Sequence, residues 1–186
     1  MSGGGKLVCL AGISGSGKDA AGAYLAHRHA FQRLAFADPL KDLMMEIFGL
    51  TREQLWGDER NVPHPRLGRP PRELYQDFGG ACREIDPDVW IRRFRDRLDG
   101  LLGAGGAVVC TDLRTLAELR AVKEMGGTTW LIERPGAGAP GRMAMDATET
   151  ELARAPRDLF DHVIRNDGPT LEHLHHALDH ALTASA

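Results

Sequence analysis

Lys6-Leu-Val-Cys-Leu-Ala11 runs straight into Gly12-Ile-Ser-Gly-Ser-Gly17-Lys18-Asp19, and the join between the two decides the fold. The first stretch is a continuous apolar run ending at glycine, the pattern of a strand buried on both faces. The second has the form G-x-x-x-x-G-K. A helix is expected over Lys18–His27, with Ala20, Ala21, Tyr24 and Leu25 at helical spacing. In that strand–loop–helix setting, glycines let backbone N–H groups turn inward around a phosphate. The helix N-terminus adds its positive end, and Lys18 reaches the β and γ oxygens. Gly12, Ser14, Gly15, Ser16, Gly17, Lys18 and Asp19 are therefore candidate ATP-binding residues. Asp19 departs from the pattern, which has Ser or Thr there with a hydroxyl on Mg2+. An aspartate can bind the metal directly, bind it through water, or cap the helix; the water-mediated role is the one expected.

Working outward, short apolar runs alternate with amphipathic segments. Strands are expected at Phe31–Phe36, Ala107–Thr111, Thr128–Ile132 and Phe160–Arg165. Asp38-Pro39 should open a helix, with Asp as N-cap and Pro in the first turn. Thr51 and Gln54 have capping-box spacing for a short helix after it. Gly57–Pro71, with four prolines and no apolar period, reads as irregular loop. Helices are then expected over Arg72–Phe78, from Asp86-Pro87 to about Leu102, over Thr115–Met125 and over Leu171–Leu182. Strands alternating with helices imply an α/β fold, a parallel sheet covered on both faces, with its chemistry at the carboxyl ends of the strands.

Composition narrows the classes. The 186 residues suit a single domain, and 42% hydrophobic with 26% charged residues is ordinary globular usage. A formal net charge of -3 argues against a nucleic-acid polymer as partner. The apolar run at Leu7–Ala11 is too short for a membrane span or a signal core, so neither is expected. Cys9, Cys82 and Cys110 are odd in number and scattered, which fits a reducing cytoplasm better than a disulfide framework.

A second acidic element is Val108-Val109-Cys110-Thr111-Asp112, an apolar strand ending in a carboxylate. A metal-organising aspartate belongs at such a strand end. Asp112 alone could cap the helix that follows, but paired with the phosphate loop the metal-organising role is the one expected.

Seven stretches together carry a resemblance: Gly15-Ser-Gly-Lys-Asp19, Phe36-Ala-Asp-Pro-Leu-Lys41, Arg72-Glu-Leu-Tyr-Gln76-Asp-Phe-Gly79, Thr111-Asp-Leu-Arg114, Glu133-Arg-Pro135, Thr148-Glu149 and Ile164-Arg-Asn-Asp-Gly168. In this order they resemble bacteriophage deoxynucleoside monophosphate kinases, from about Leu7 to Leu182. Animal-type phosphomevalonate kinases share the G-K-D loop, a P-L-K segment and a D-x-R strand end. The stretch from Arg72 through Arg83 to Asp88-Val-Trp90 is more similar to the nucleotide kinases.

The resemblance implies a nucleoside monophosphate kinase-like P-loop fold with strand order 2-3-1-4-5. It implies a core at 6–38 and 105–186, an acceptor-binding helical insert at about 39–103 and a lid at about 134–150. The implied reaction is transfer from ATP, with Mg2+, to a deoxynucleoside monophosphate, and a homodimer is implied by the family alone. Two rival readings are a kinase for another small phosphorylated acceptor and an ATP-binding P-loop protein that transfers nothing. Phosphate is already anionic at pH 7, so the acceptor needs no general base, and converging cations are expected instead. The candidates for transfer are Lys18, Asp112, Arg114 and Arg134. Those for the acceptor are Lys41, Arg72, Gln76, Arg83 and Trp90, with Trp90 on an apolar stripe that also suits a core residue. Asp19 and Asp112 are the Mg2+ candidates, through water. Arg142 falls in the expected lid. Asn166 and Gly168 resemble the turn that packs against adenine, which an ordinary Asp-Gly turn would match as well.

Two clusters are read as solvated surface. His173, His176 and His180 decorate the last helix, and Arg92, Arg93, Arg95 and Arg97 interleave with Asp96 and Asp99.

Overall fold

The structure is a computed structural model that describes residues 5–103, 105–138 and 151–185. The chain divides into two compact units, one of residues 1–35 with 97–186 and one of residues 36–96.

The first unit is built on a five-stranded parallel sheet in the order β2-β3-β1-β4-β5. The strands are β1 (Lys6–Ala11), β2 (Phe31–Arg33), β3 (Ala107–Cys110), β4 (Thr128–Glu133) and β5 (His162–Arg165). This is the expected order, and central β1 is the strand that opens the glycine loop. Val8, Cys9, Leu10 and Ala11 are fully buried, as the unbroken apolar run requires. Helix α1 (Lys18–His29) and the last helix, α7 (Leu171–Ala184), pack Ala21, Leu25, Leu174 and Leu178 into the core around Val8, Leu10, Trp130 and Ile132. Helix α6 (Leu116–Glu124) lies between β3 and β4. β2 is three residues long, shorter than expected; it is an edge strand, paired among the described residues with β3.

The second unit holds α2 (Asp38–Phe48), α3 (Arg52–Trp56), a 3-10 turn at Asp58–Asn61 and α4 (Pro71–Ile85). Helix α5 (Val89–Gly103) begins in this unit. The core of the second unit is Leu40, Met44, Leu50, Leu55 and Trp90. The expected capping box on α3 is present: Thr51 Oγ1 accepts from Gln54 N at 3.2 Å and Gln54 Oε1 from Thr51 N at 3.0 Å. Asp38 behaves differently from its expected cap role. It is the first helical residue, and its Oδ1 accepts from the Trp56 indole N–H at 2.9 Å. Among the described residues no helix is long and apolar enough to cross a membrane.

Candidate functional site

The glycine loop owes its shape to three left-handed backbones: Gly12 at φ 144°, Gly15 at φ 79° and Gly17 at φ 108°. Two of these positions are also sterically closed. A Cβ on Gly12 would stand 2.5 Å from the Ile132 carbonyl oxygen, and one on Gly17 would stand 2.5 Å from Asn166 Nδ2. The loop is therefore glycine-dependent for both dihedral and space. Ser16 N donates to Ile13 O at 3.1 Å, drawing the loop into a turn. The Ser16 hydroxyl is buried and has no hydrogen-bond partner among the described residues. Lys18 Nζ donates to the carbonyls of Gly12 at 2.6 Å and Ile13 at 2.9 Å, so its ammonium is folded onto the loop it serves.

Neither acidic residue caps a helix. Gly17 is the N-cap of α1 and no side chain bonds there; Asp19 lies in the first turn with its side chain 93% exposed. Its Oδ1 is 3.7 Å from Arg33 Nη2 at the end of β2. Helix α6 is capped by Thr115 with Glu118: Glu118 N donates to Thr115 Oγ1 at 3.2 Å, and Thr115 N donates to Glu118 Oε2 at 3.0 Å. The capping alternative for Asp112 is thereby taken by another residue. Asp112 Oδ1 instead accepts from the Cys110 thiol at 3.0 Å. Burial, with the Asp112 charge adding to it, pushes the Cys110 thiol up, so it stays protonated and donates.

Strand register gathers the candidates of this unit at one edge. Cys9 pairs with Cys110, Ala11 with Leu131 and Glu133 with Arg165. The loops beginning at Gly12, Thr111, Arg134 and Asn166 thus all leave the carboxyl edge of the sheet, which is where such sheets bind ligands. Arg134 is exposed. Arg114 holds its backbone by donating its N–H to Glu118 Oε2 at 2.8 Å. Glu118 itself is pushed up to about 7 by burial, then by the Asp112 charge, against the backbone N–H groups of Arg114 and Thr115 and the Arg114 charge.

The turn after β5 has a structural role. Asn166 Nδ2 donates to Ser16 O at 2.8 Å and Asn166 N donates to Glu133 O at 2.7 Å. The Asn166 side chain is thus a strut under the phosphate loop. Gly168 packs on α7, where a Cβ would stand 2.5 Å from His173 Cβ.

In the second unit, Arg72, Gln76 and Arg83 are spaced 4 and 11 residues apart on α4, which at 100° per residue puts them on one face. Lys41 Nζ lies 5.1 Å from the Trp56 ring centroid and 5.5 Å from that of Tyr75. Trp90 is 6% exposed and donates its indole N–H to Gly79 O at 3.1 Å, which makes it a core residue of this unit. Trp56 and Tyr75 were not singled out in the sequence, and neither was Glu118. For Glu118 the signal existed, in the Thr115-x-x-Glu118 spacing. Arg142, Thr148, Glu149 and most of the expected lid lie outside the described residues.

No protein-family model matches the chain. A protein of Acanthamoeba polyphaga mimivirus that bears the name "Putative deoxynucleotide monophosphate kinase" is 33% identical over 144 residues, 70% of this chain and 75% of the viral one. Among solved structures, dephospho-CoA kinase from Campylobacter jejuni superposes with a TM-score of 0.56 at 10% identity over 97% of each chain. The Mycobacterium tuberculosis APS kinase in complex with AMPPNP and APS superposes with a TM-score of 0.51 at 14% identity. That likeness spans 96% of this chain and 98% of the APS kinase. The two superpositions carry the fold, and the viral relative carries the kinship.

Proposed function

This chain belongs to the deoxynucleotide monophosphate kinase family of P-loop kinases, and from that premise we propose that it moves the γ-phosphoryl group of ATP onto a deoxynucleoside 5'-monophosphate. An oxygen of the acceptor phosphate attacks the γ phosphorus in line. The bond to the β–γ bridging oxygen breaks, and ADP leaves with the electron pair as a deoxynucleoside diphosphate forms.

The observation that carries the reading is the pairing of a glycine-shaped loop on β1 with an Asp112 that does not cap its helix, on adjacent strands. Lys18 is assigned to the β and γ oxygens, exchanging the Gly12 and Ile13 carbonyls for phosphate. Arg114 and Arg134 are assigned to charge developing on the transferred group. The donor set suits Mg2+, which takes one or two carboxylates and completes its shell with phosphate oxygens and water. Asp112 and Asp19 would hold it through water; bound, the ion would neutralise the β and γ oxygens. Arg72 and Arg83 are assigned to the acceptor phosphate, since planar guanidinium groups suit bidentate capture. Lys41 adds charge, and Gln76 offers an amide to a base edge. A cytoplasmic nucleotide pool is the matching setting.

A coupled assay for ADP release, run over the four common deoxynucleoside monophosphates, their ribose counterparts and phosphomevalonate, tests this. The reading expects acceptor-dependent turnover with deoxynucleotides and its loss in Lys18→Ala. Turnover with phosphomevalonate alone would overturn the acceptor.

A further inference from the structure

The segment between β3 and α6 carries two of the groups assigned to the phosphates, yet within it Asp112 and Arg114 have loop backbones. A loop at a strand end holds its side chains to catalytic tolerance only if its own peptides are fixed. Three contacts fix this one. Leu113 is buried, at 1% exposure, between the two candidates. The N–H groups of Arg114 and Thr115 converge on a single atom, Glu118 Oε2, at 2.8 and 3.0 Å.

A capping box needs only the second of those bonds. The bond from Arg114 N is additional and reaches one residue further towards Asp112. A second capping box, on α3, makes a useful contrast. On α3 the residue at the Glu118 position is the neutral Gln54, and both of its cap bonds are exposed. On α6 the same task falls to a carboxyl group whose two accepted bonds are part-buried. A helix start alone gains nothing from the additional bond to Arg114 N, and such departures from local consistency gather at functional sites.

We infer that Glu118 is a positioning residue for phosphoryl transfer, fixing through Arg114 N and Thr115 N the loop that presents Asp112 and Arg114. The inference rests on the reading of Asp112 and Arg114 given above.

Steady-state kinetics and amide hydrogen exchange on the full chain test it. Glu118→Ala should lower kcat about ten- to a hundredfold, with KM for ATP within about threefold of wild type. Glu118→Asp keeps the carboxyl group but withdraws the acceptor by one methylene, and should fall similarly. Glu118→Gln retains an oxygen that can accept both bonds, and should recover most of the turnover. Thr115→Ala removes only the partner of Glu118 N; it should lower the melting temperature while leaving kcat within about threefold. Exchange at the Arg114 and Thr115 amides should quicken in Glu118→Ala and stay slow in Glu118→Gln. Wild-type kcat in Glu118→Ala and Glu118→Asp beside an inactive Asp112→Asn would overturn the inference alone. Wild-type kcat in Asp112→Asn would sink the reading of Asp112, and the inference with it.

Discussion

The Asn166 side-chain amide donates to the Ser16 carbonyl at 2.8 Å, and Gly17 lies so close beneath it that a Cβ there would stand 2.5 Å from the same nitrogen. The end of β5 thus holds the phosphate loop from behind, and the loop's last glycine is fixed by its neighbour as well as by its φ of 108°.

Asn166→Ala should leave the Ser16 carbonyl buried and unpaired, costing about 1–3 kcal/mol of stability and weakening ATP binding roughly tenfold. Gly17→Ala should be worse, because it meets both the amide and a left-handed backbone. In the double variant the clash is relieved but the dihedral cost remains, so the two losses should be less than additive. Urea unfolding and nucleotide titration measure both terms. Wild-type ATP affinity in a folded Asn166→Ala protein would show that the loop does not need this support.

Asp19 and Arg33 form an exposed pair at 3.7 Å, a geometry that contributes little to stability. Its consequence should lie in metal dependence. Asp19→Ala should raise the Mg2+ concentration for half-maximal rate several-fold, and Asp19→Ser should partly restore it. Arg33→Ala removes the cation competing for the carboxylate and should lower that concentration. Superimposable Mg2+ titrations for wild type and Asp19→Ala would leave Asp19 as a partner of Arg33 only.

Glu118 makes stability depend on pH in a definite direction. Its carboxyl has an ordinary value of 4.5 and is held up at about 7 in the folded chain, first by burial and then by the Asp112 charge. The folded state therefore binds the extra proton between those values. The associated stability is fully present below about 4.5 and is lost as pH rises through about 7. Each unit is about 1.4 kcal/mol, so the whole span is on the order of 3–4 kcal/mol. Glu118→Gln cannot titrate, and its urea-unfolding free energy should fall less steeply than that of wild type across this range. Parallel slopes would show that Glu118 is solvated in the folded chain.

How much of this could be read from residues alone depended on the range of the forces involved. The β1–loop–α1 unit was legible because an apolar run, positive-φ glycines and a helix start are all local. The Thr51–Gln54 box was legible for the same reason. Asp38 was misread as a cap because its partner, Trp56, lies 18 residues away and no spacing announces it. Asn166 suggested adenine packing; its bond to Ser16 spans 150 residues, and only the closing of β5 onto the sheet makes that loop its neighbour. Asp112 was ambiguous between metal and cap. The cap role is taken by Thr115 and Glu118, whose pairing spans only three residues but leaves the metal role of Asp112 as a proposal.

The acceptor assignment has its own test in α4. Arg72 and Arg83 sit on one face of that helix with Gln76 between them, all within the second compact unit, whereas the glycine loop belongs to the first. Substituting either arginine should therefore separate the two substrates kinetically. Loss of a charge-assisted phosphate contact costs roughly 1.5–3 kcal/mol, or about ten- to a hundredfold in affinity. Arg72→Ala and Arg83→Ala should each raise KM for the monophosphate by that order and leave KM for ATP nearly unchanged. Lysine at either position should restore only part, because an ammonium supplies the charge without the planar fork. If an arginine also stabilises the transferring group, kcat falls together with kcat/KM, and varying each substrate in turn reveals it. A rise in KM for ATP with the acceptor KM unmoved would assign these arginines to the donor and remove α4 from the acceptor site.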